Sequence, residues 1–193
     1  MKNKIMLGTS FLLALTILTA CGDTSNSDSE GSTQKEESET MDHSAMDHGN
    51  MNHSSNGEVP EGLKAAENPK FEVGSHAIIK TDHMEGMNGS EATIVGAYDT
   101  TVYTVTYTPT TGGEQVKNHK WVIHEELEGV DTEPLEPGAE VTLNADHMEG
   151  MKGATATVDS VENTTVYMVD YTSSTGEKVT NHKWVTENEL SNK

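Results

Sequence analysis

Arginine is absent from this sequence. All 12 basic residues are lysines, they face 32 acidic residues, and the formal net charge is −20. A chain with that balance is a poor partner for nucleic acid or anionic lipid head groups, whereas cations are drawn to it. Cysteine occurs once, at Cys21, which excludes an intramolecular disulfide. Two Phe, two Trp and five Tyr are too few to line a large apolar substrate cavity. There is no Gly-x-Ser-x-Gly elbow, no phosphate-binding loop, no His-Glu-x-x-His and no reactive cysteine. The expectation is a protein that is not an enzyme and uses no organic cofactor.

Methionine and histidine are what the chain has instead, 10 and 9 of them. Met41-Asp42-His43, Met46-Asp47-His48 and Met51-Asn52-His53 follow one another at a five-residue spacing. Thioether sulfur is a soft ligand suited to Cu(I), and imidazole suits Cu(I), Cu(II) and zinc. A polar linker has no use for an apolar thioether, since Met gains nothing in water. Met41, His43, Met46, His48, Met51 and His53 are therefore candidate metal ligands, with copper the expected ion. The segment is similar to the Met/His-rich repeats of periplasmic copper-resistance proteins, a resemblance confined to this short run.

The first 20 residues read as a signal peptide: Lys2 and Lys4 form a positive start, and Ile5 to Ala20 are mainly apolar with no acidic residue. Leu18-Thr19-Ala20-Cys21 resembles the bacterial lipobox, which implies cleavage before Cys21, lipidation of that residue and anchoring at the outer face of the cell membrane, as in a Gram-positive bacterium. The apolar run is short for a spanning helix. Residues 21–57 are dominated by Ser, Thr, Asn, Asp, Glu and Gly and predict a disordered acidic stalk.

Two copies of one module follow, 58–130 and 131–193. Gly74 to Tyr107 aligns with Gly138 to Tyr171 without a gap, one residue is lost in the next loop, and Asn118-His119-Lys120-Trp121-Val122 then matches Asn181-His182-Lys183-Trp184-Val185. Strands are expected at Ala77–Ile79, Ala92–Val95, Val102–Tyr107 and His119–Ile123, and at Val141–Leu143, Ala154–Val158, Val166–Tyr171 and His182–Thr186. Tyr103, Val105, Tyr107 and their counterparts Tyr167, Val169 and Tyr171 should face inward. A short helical turn is expected over Pro60–Glu67, ended by Asn68-Pro69. The order of Gly, strand, glycine-bearing loop, strand, hairpin and final strand resembles the SH3-like barrel, especially its KOW variant. The fold class is therefore all-β, two tandem small SH3-like barrels after a signal peptide and stalk.

Each module carries Asp-His-Met-Glu-Gly-Met, at Asp82–Met87 and Asp146–Met151. One reading makes His83, Met84, Met87 and His119, and likewise His147, Met148, Met151 and His182, a metal set, with Trp121 and Trp184 near enough to stack on the cation. The other makes the methionines fillers of the barrel end, the tryptophans core residues, and the Asp and His partners of the turn. Both stay open at this point. His76 and His124 face Glu140 and Glu187 in the alignment and are read as surface residues. Asp-His-Met-x-Gly-Met paired with Asn-His-Lys-Trp-Val resembles the YdhK family of bacterial lipoproteins across roughly residues 58–191. That resemblance implies a surface lipoprotein. The function expected is copper binding in buffering, delivery or resistance; the alternative is an interaction module for a cell-envelope protein or cell-wall polymer.

Overall fold

Period-two alternation predicts half-buried strands at Val102–Tyr107 and Val166–Tyr171, and both form with Tyr103, Val105, Tyr107, Tyr167, Val169 and Tyr171 inward, but Val102, Thr104, Val166 and Met168 on the other face are buried as well. The computed structural model describes residues 54–193. The signal segment, Cys21 and the Met/His repeat through His53 lie outside the described residues.

Among the described residues there are nine strands: β1 (Lys64–Ala65), β2 (His76–Ile79), β3 (Glu91–Tyr107), β4 (Val116–Ile123), β5 (Leu127–Glu128), β6 (Glu140–Leu143), β7 (Thr155–Thr172), β8 (Lys178–Thr186) and β9 (Leu190–Ser191). Single 3-10 turns at His124–Glu126 and Glu187–Glu189 precede β5 and β9. The fold is all-β with two small β cores, as the repeat predicts, and its strands join in one sheet.

The expected separate strands Ala92–Val95 and Val102–Tyr107 are one 17-residue strand, β3, and their counterparts are one 18-residue strand, β7. The intervening polar residues continue the strand because β3 and β7 pair antiparallel along almost their whole length, from Ala92 opposite Tyr171 to Tyr107 opposite Ala156. Those two pairs are equivalents in the repeat alignment, and Thr100 lies opposite its own counterpart Thr164. The ladder thus has an approximate twofold axis at Thr100 and Thr164.

That axis exchanges the halves of the two repeats. The last strand of each repeat pairs with the first strand of the other, β5 with β6 and β9 with β2. One core joins Phe71, Ile79, Met87 and Ile94 to Tyr167, Val169, Val185 and Leu190; the second joins Tyr103, Val105, Val122 and Leu127 to Leu143, Met151, Ala156 and Val158. A third cluster on the axis packs Val102, Trp121 and Ile123 against Val166, Met168 and Trp184. The segments 58–130 and 131–193 are therefore units of sequence, while each packing unit takes half of both. A repeat of about 60 residues buries too little surface to be comfortable alone, and sharing two cores removes that problem.

Two local expectations are corrected. Pro60–Glu67 is not a helical turn: Gly62 sits at φ +90°, which breaks helical winding, and Lys64–Ala65 pairs with Asp99 and Tyr98 of β3. Of the disordered stalk expected over 21–57, Ser54 and Ser55 are instead bonded to β8. Ser55 N–H donates to Thr180 O at 3.0 Å, Thr180 N–H donates to Ser54 Oγ at 3.0 Å, and Ser55 Oγ–H donates to Asn181 O at 2.7 Å.

A chain truncated after residue 130 has half of each core and lacks the β7 ladder that pairs with β3 along almost its whole length. It should be unfolded or assemble as a two-chain copy of the native pairing, measured by circular dichroism and sedimentation; a folded monomer would contradict the shared cores.

Candidate metal centre

The Asp-His-Met-Glu-Gly-Met segments form tight turns, each docked on the hairpin loop of the other repeat. Gly86 and Gly150 have φ of +74° and +73°. A Cβ at Gly86 would fall 2.9 Å from Ser174 Oγ, and one at Gly150 would fall 2.6 Å from Thr111 Oγ1 and 2.9 Å from Pro109 Cβ. Ser174 N–H donates to Gly86 O, and Thr110 N–H donates to Gly150 O. The glycine is thus needed both for its backbone conformation and for the close approach. Met87 and Met151 close each turn from inside with no exposure, deep in the two apolar cores. This separates them from the ligand set in which the repeat pattern groups them: they are core fillers.

The histidines take a different role. His83 Nε2 lies 2.8 Å from Glu189 Oε1, and His147 Nε2 lies 2.8 Å from Glu126 Oε1. In both pairs the glutamate comes from the other repeat. Glu189 Oε2 also accepts from Trp121 Nε1 at 2.7 Å and from Thr186 N and Oγ1; Glu126 Oε2 accepts from Trp184 Nε1 at 3.1 Å and from Ile123 N. Burial by itself raises the Glu126 carboxyl, but the charge and hydrogen bond of His147, with the Ile123 and Trp184 N–H groups, outweigh it and hold the group below the ordinary carboxylate range. The same contest at Glu189, with His83 as the main opponent of burial, leaves its carboxyl at about 2. A carboxylate can only accept, so Nε2 of His83 and of His147 carries the proton, and in the neutral ring Nδ1 is a lone pair. At His83 that Nδ1 is buried with no hydrogen-bond partner.

His119 and His182 enter from the Asn-His-Lys-Trp segments. Asn118 and Asn181 adopt φ of +49° and +52°, a left-handed conformation that Asn tolerates, with their N–H groups bonded to Thr106 Oγ1 and Asp170 Oδ1. The β3–β4 and β7–β8 registers shift around these residues, and the Lys120–Trp121 and Lys183–Trp184 peptides are cis. His119 stands edge-on to Tyr107, with ring centroids 6.0 Å apart, and 6.1 Å from the ring of His147. Tyr107 Oη–H in turn meets Met148 Sδ at 3.9 Å. His182 stands edge-on to Tyr171 at 5.8 Å, the equivalent relation, and Met84 packs against the core that contains Tyr171.

Nε2 of His119 is buried without a partner. Burial, reinforced by the charges of His147 and His83, pushes its imidazolium down to about 3. His119 is therefore neutral at physiological pH with a lone pair to offer. Among the described residues no group of three or more His, Cys, Asp or Glu side chains is placed to hold a metal ion. What comes together is smaller and softer: His119 beside His147, with Met148 on the hydroxyl of the Tyr107 that His119 meets edge-on. In the other repeat His182 meets Tyr171 edge-on, and Met84 packs against the core that contains Tyr171.

Trp121 and Trp184 are packed on the axis, and their indole N–H groups bond the glutamates. Glu126 and Glu189 were not singled out by the sequence reading, although their matching place in the repeats was visible. His76 is exposed as expected, whereas His124 is half-buried and bridges Tyr103 Oη and Asp131 O.

The sequence matches the family described as "Protein of unknown function (DUF1541)" twice, over residues 73–124 and 137–187. It is also 55% identical over 192 residues to "Uncharacterized protein YdhK" of Bacillus subtilis (strain 168), covering 99% of this chain and 90% of that protein. The chain belongs to the DUF1541 family. A crystal structure of the DUF1541 protein ydhK from B. subtilis superposes with a TM-score of 0.72 at 63% identity, covering 74% of this chain and 97% of that one. A solution NMR structure of the B. subtilis ydhK C-terminal domain gives a TM-score of 0.62 at 64% identity, covering 64% and 94%. The tandem DUF1541 repeat thus accounts for both the duplication and the β fold.

Glu126 is the shared acceptor for buried N–H groups of His147, Trp184 and Ile123, and removing it leaves all three without one. Glu126→Ala should lower stability by about 3 kcal/mol, read as a fall in the urea midpoint. Acid should act in two stages on the metal-free protein. His119 has a folded value near 3 against 6.5 for a free imidazole, so its stability contribution is intact above pH 6.5 and falls as pH drops towards 3. Glu189 behaves alike between 4.5 and 2, being depressed as a carboxyl. His119→Gln should flatten the stability profile between pH 6.5 and 4.5 in urea titrations, leaving the steeper acid loss below.

Proposed function

We propose that this DUF1541 chain is a non-enzymatic surface lipoprotein that binds copper, principally Cu(I), through methionine and histidine. The observation that carries the reading is the cluster of His119, His147 and Met148. It holds an unpartnered buried imidazole nitrogen, a second imidazole whose other N–H is held by a buried carboxylate, and a thioether. A histidine that donates its far N–H to a carboxylate is the usual arrangement of a metal-ligating histidine, because the carboxylate fixes the tautomer and strengthens the donor nitrogen. Two neutral nitrogens and one sulfur suit a soft monovalent ion and offer little to magnesium or calcium, which want several oxygens. His83 and Met84 are the matching loop residues of the other repeat, and His182 meets Tyr171 as His119 meets Tyr107. Met41, His43, Met46, His48, Met51 and His53 add ligands of the same kind in the segment before Ser54.

The acidic field of the chain raises the local concentration of cations without selecting among them. Selection rests on the thioethers and imidazoles. Lipidation at Cys21 would hold both sets of ligands at the outer membrane face, where an ion can be buffered or passed on with no cysteine exposed to oxidation.

Competition against a chromogenic Cu(I) chelator tests the reading. Replacing the six stalk ligands by Ser should remove part of the copper capacity and leave one ion per folded cluster. Adding His119→Ala and His182→Ala should remove the rest. Unchanged stoichiometry in both variants would overturn it.

A further inference from the structure

The approximate twofold gives β4 and β8 matching outer edges, and only one of them is covered. Residues 54–58 lie along β8. Ser55 N–H donates to Thr180 O, Thr180 N–H donates to Ser54 Oγ, and Ser55 Oγ–H donates to Asn181 O. Asn181 Nδ2–H donates back to Ser55 O at 3.2 Å, and Lys183 Nζ–H donates to Glu58 O. Gly57 is pressed against the same edge: a Cβ there would meet the Asn181 side chain at 3.2 Å, at a φ of +78° that favours glycine. The segment is held through backbone N–H and C=O groups and two serine hydroxyls, much as a peptide added to the edge of a sheet is held.

The β4 edge presents the same groups. Lys117, Asn118, His119 and Lys120 align with Thr180, Asn181, His182 and Lys183. Thr180 meets Ser54 and Ser55 through its backbone alone, so Lys117 keeps those atoms, and the side-chain donors of Asn181 and Lys183 recur at Asn118 and Lys120. The backbone shape recurs too, with φ of +49° at Asn118 and +52° at Asn181 and with register shifts at matching steps of both hairpins. Yet among the described residues β4 pairs with β3 alone. Lys117, Asn118 and Lys120 are exposed where Thr180, Asn181 and Lys183 are half-buried, and His119 is half-buried where His182 is buried. An open strand edge of this kind is a template for another chain.

Charge separates the two edges and says what fits the open one. Asn181 N–H is held by the Asp170 carboxylate, whereas Asn118 N–H is held by the Thr106 hydroxyl, with the Asp159 carboxylate one bond further back. Lys120 Nζ lies 3.8 Å from Glu189 Oε1, while Lys117, which replaces the neutral Thr180, has no ion pair among the described residues. The open edge therefore carries a positive charge at the point where the covered edge has none. Such a charge steers an acidic partner and fixes its register.

We infer that the outer edge of β4, from Lys117 to Lys120, docks an extended acidic segment of a partner protein in the way that β8 docks residues 54–58. Backbone groups and small hydroxyls of the segment meet Lys117 and Asn118, and a carboxylate meets Lys117 Nζ. The chain's own residues 54–58 are taken up by β8, so the occupant comes from another molecule. The site stands whether or not the protein binds copper.

Amide chemical shifts of the mature full-length chain, titrated with the blocked peptide Ser-Ser-Asn-Gly-Glu-Val-Pro of residues 54–60, test it. Saturable shifts are expected at Lys117 to Lys120 and none at Thr180 to Lys183, which are already covered. Asn118→Gly keeps the left-handed backbone and removes the amide, and should weaken binding about five-fold. Lys117→Glu leaves the backbone groups and should weaken it by about three-fold or more. Ser55→Pro removes the N–H and hydroxyl that hold the chain's own segment, so the same peptide should then also shift Thr180 to Lys183, indifferently to Lys117→Glu. A peptide that takes the freed β8 edge but never the β4 edge overturns the site, and so does silence at both. Shifts at Lys117 to Lys120 that survive both substitutions undiminished overturn it as well. If those amides move with protein concentration in the absence of peptide, the edge is an interface between copies and the assignment to a partner protein falls.

Discussion

The antiparallel pairing of β3 with β7 is the constraint on which everything else depends. Two strands of 17 and 18 residues cannot each bend back into a private barrel while remaining paired to one another along their length. They cross from one core to the other instead. Each core then receives the first half of one repeat and the second half of the other, and the closing strands β5 and β9 find partners only across the axis.

The buried glutamates follow from that exchange. The turn before each closing strand sets Glu126 or Glu189 against the Asp-His-Met loop and the tryptophan of the other repeat, where histidine and indole N–H groups satisfy a carboxylate that burial alone would neutralise. Charge is tolerable there because hydrogen bonds surround it. Since each carboxylate accepts from Nε2, both loop histidines are held in one tautomer. The same pairs that knit the repeats together leave the Nδ1 side of each loop histidine next to a methionine that is only partly buried.

Symmetry repeats the carboxylate–histidine–tryptophan bonding in both halves, and the entry segment breaks the equivalence. Residues 54–58 have one edge to bind, and they bind the β8 edge through Ser55 and Asn181. A segment of serine, asparagine and glycine has almost no apolar surface to bury; backbone and side-chain hydrogen bonds hold it where composition alone implies a free linker. The difference between the two hairpin edges thus comes from outside the duplicated sequence.

The sequence by itself determined the duplication, the all-β class, the inward faces of the tyrosine strands and the glycine-bearing turn, because period-two alternation and left-handed glycines act within a few residues. Only the tertiary structure decided which half packs with which. Alternation marks a face to bury without naming its partner, and identical repeats satisfy one another as well as themselves. It also separated Met84 and Met148, beside the histidines, from Met87 and Met151, sealed in the cores, although the four are indistinguishable in spacing. Glu126 and Glu189 escaped notice for the same reason: an acid among 32 has no mark in the sequence, and only the histidine and tryptophan folded over each gives it a role.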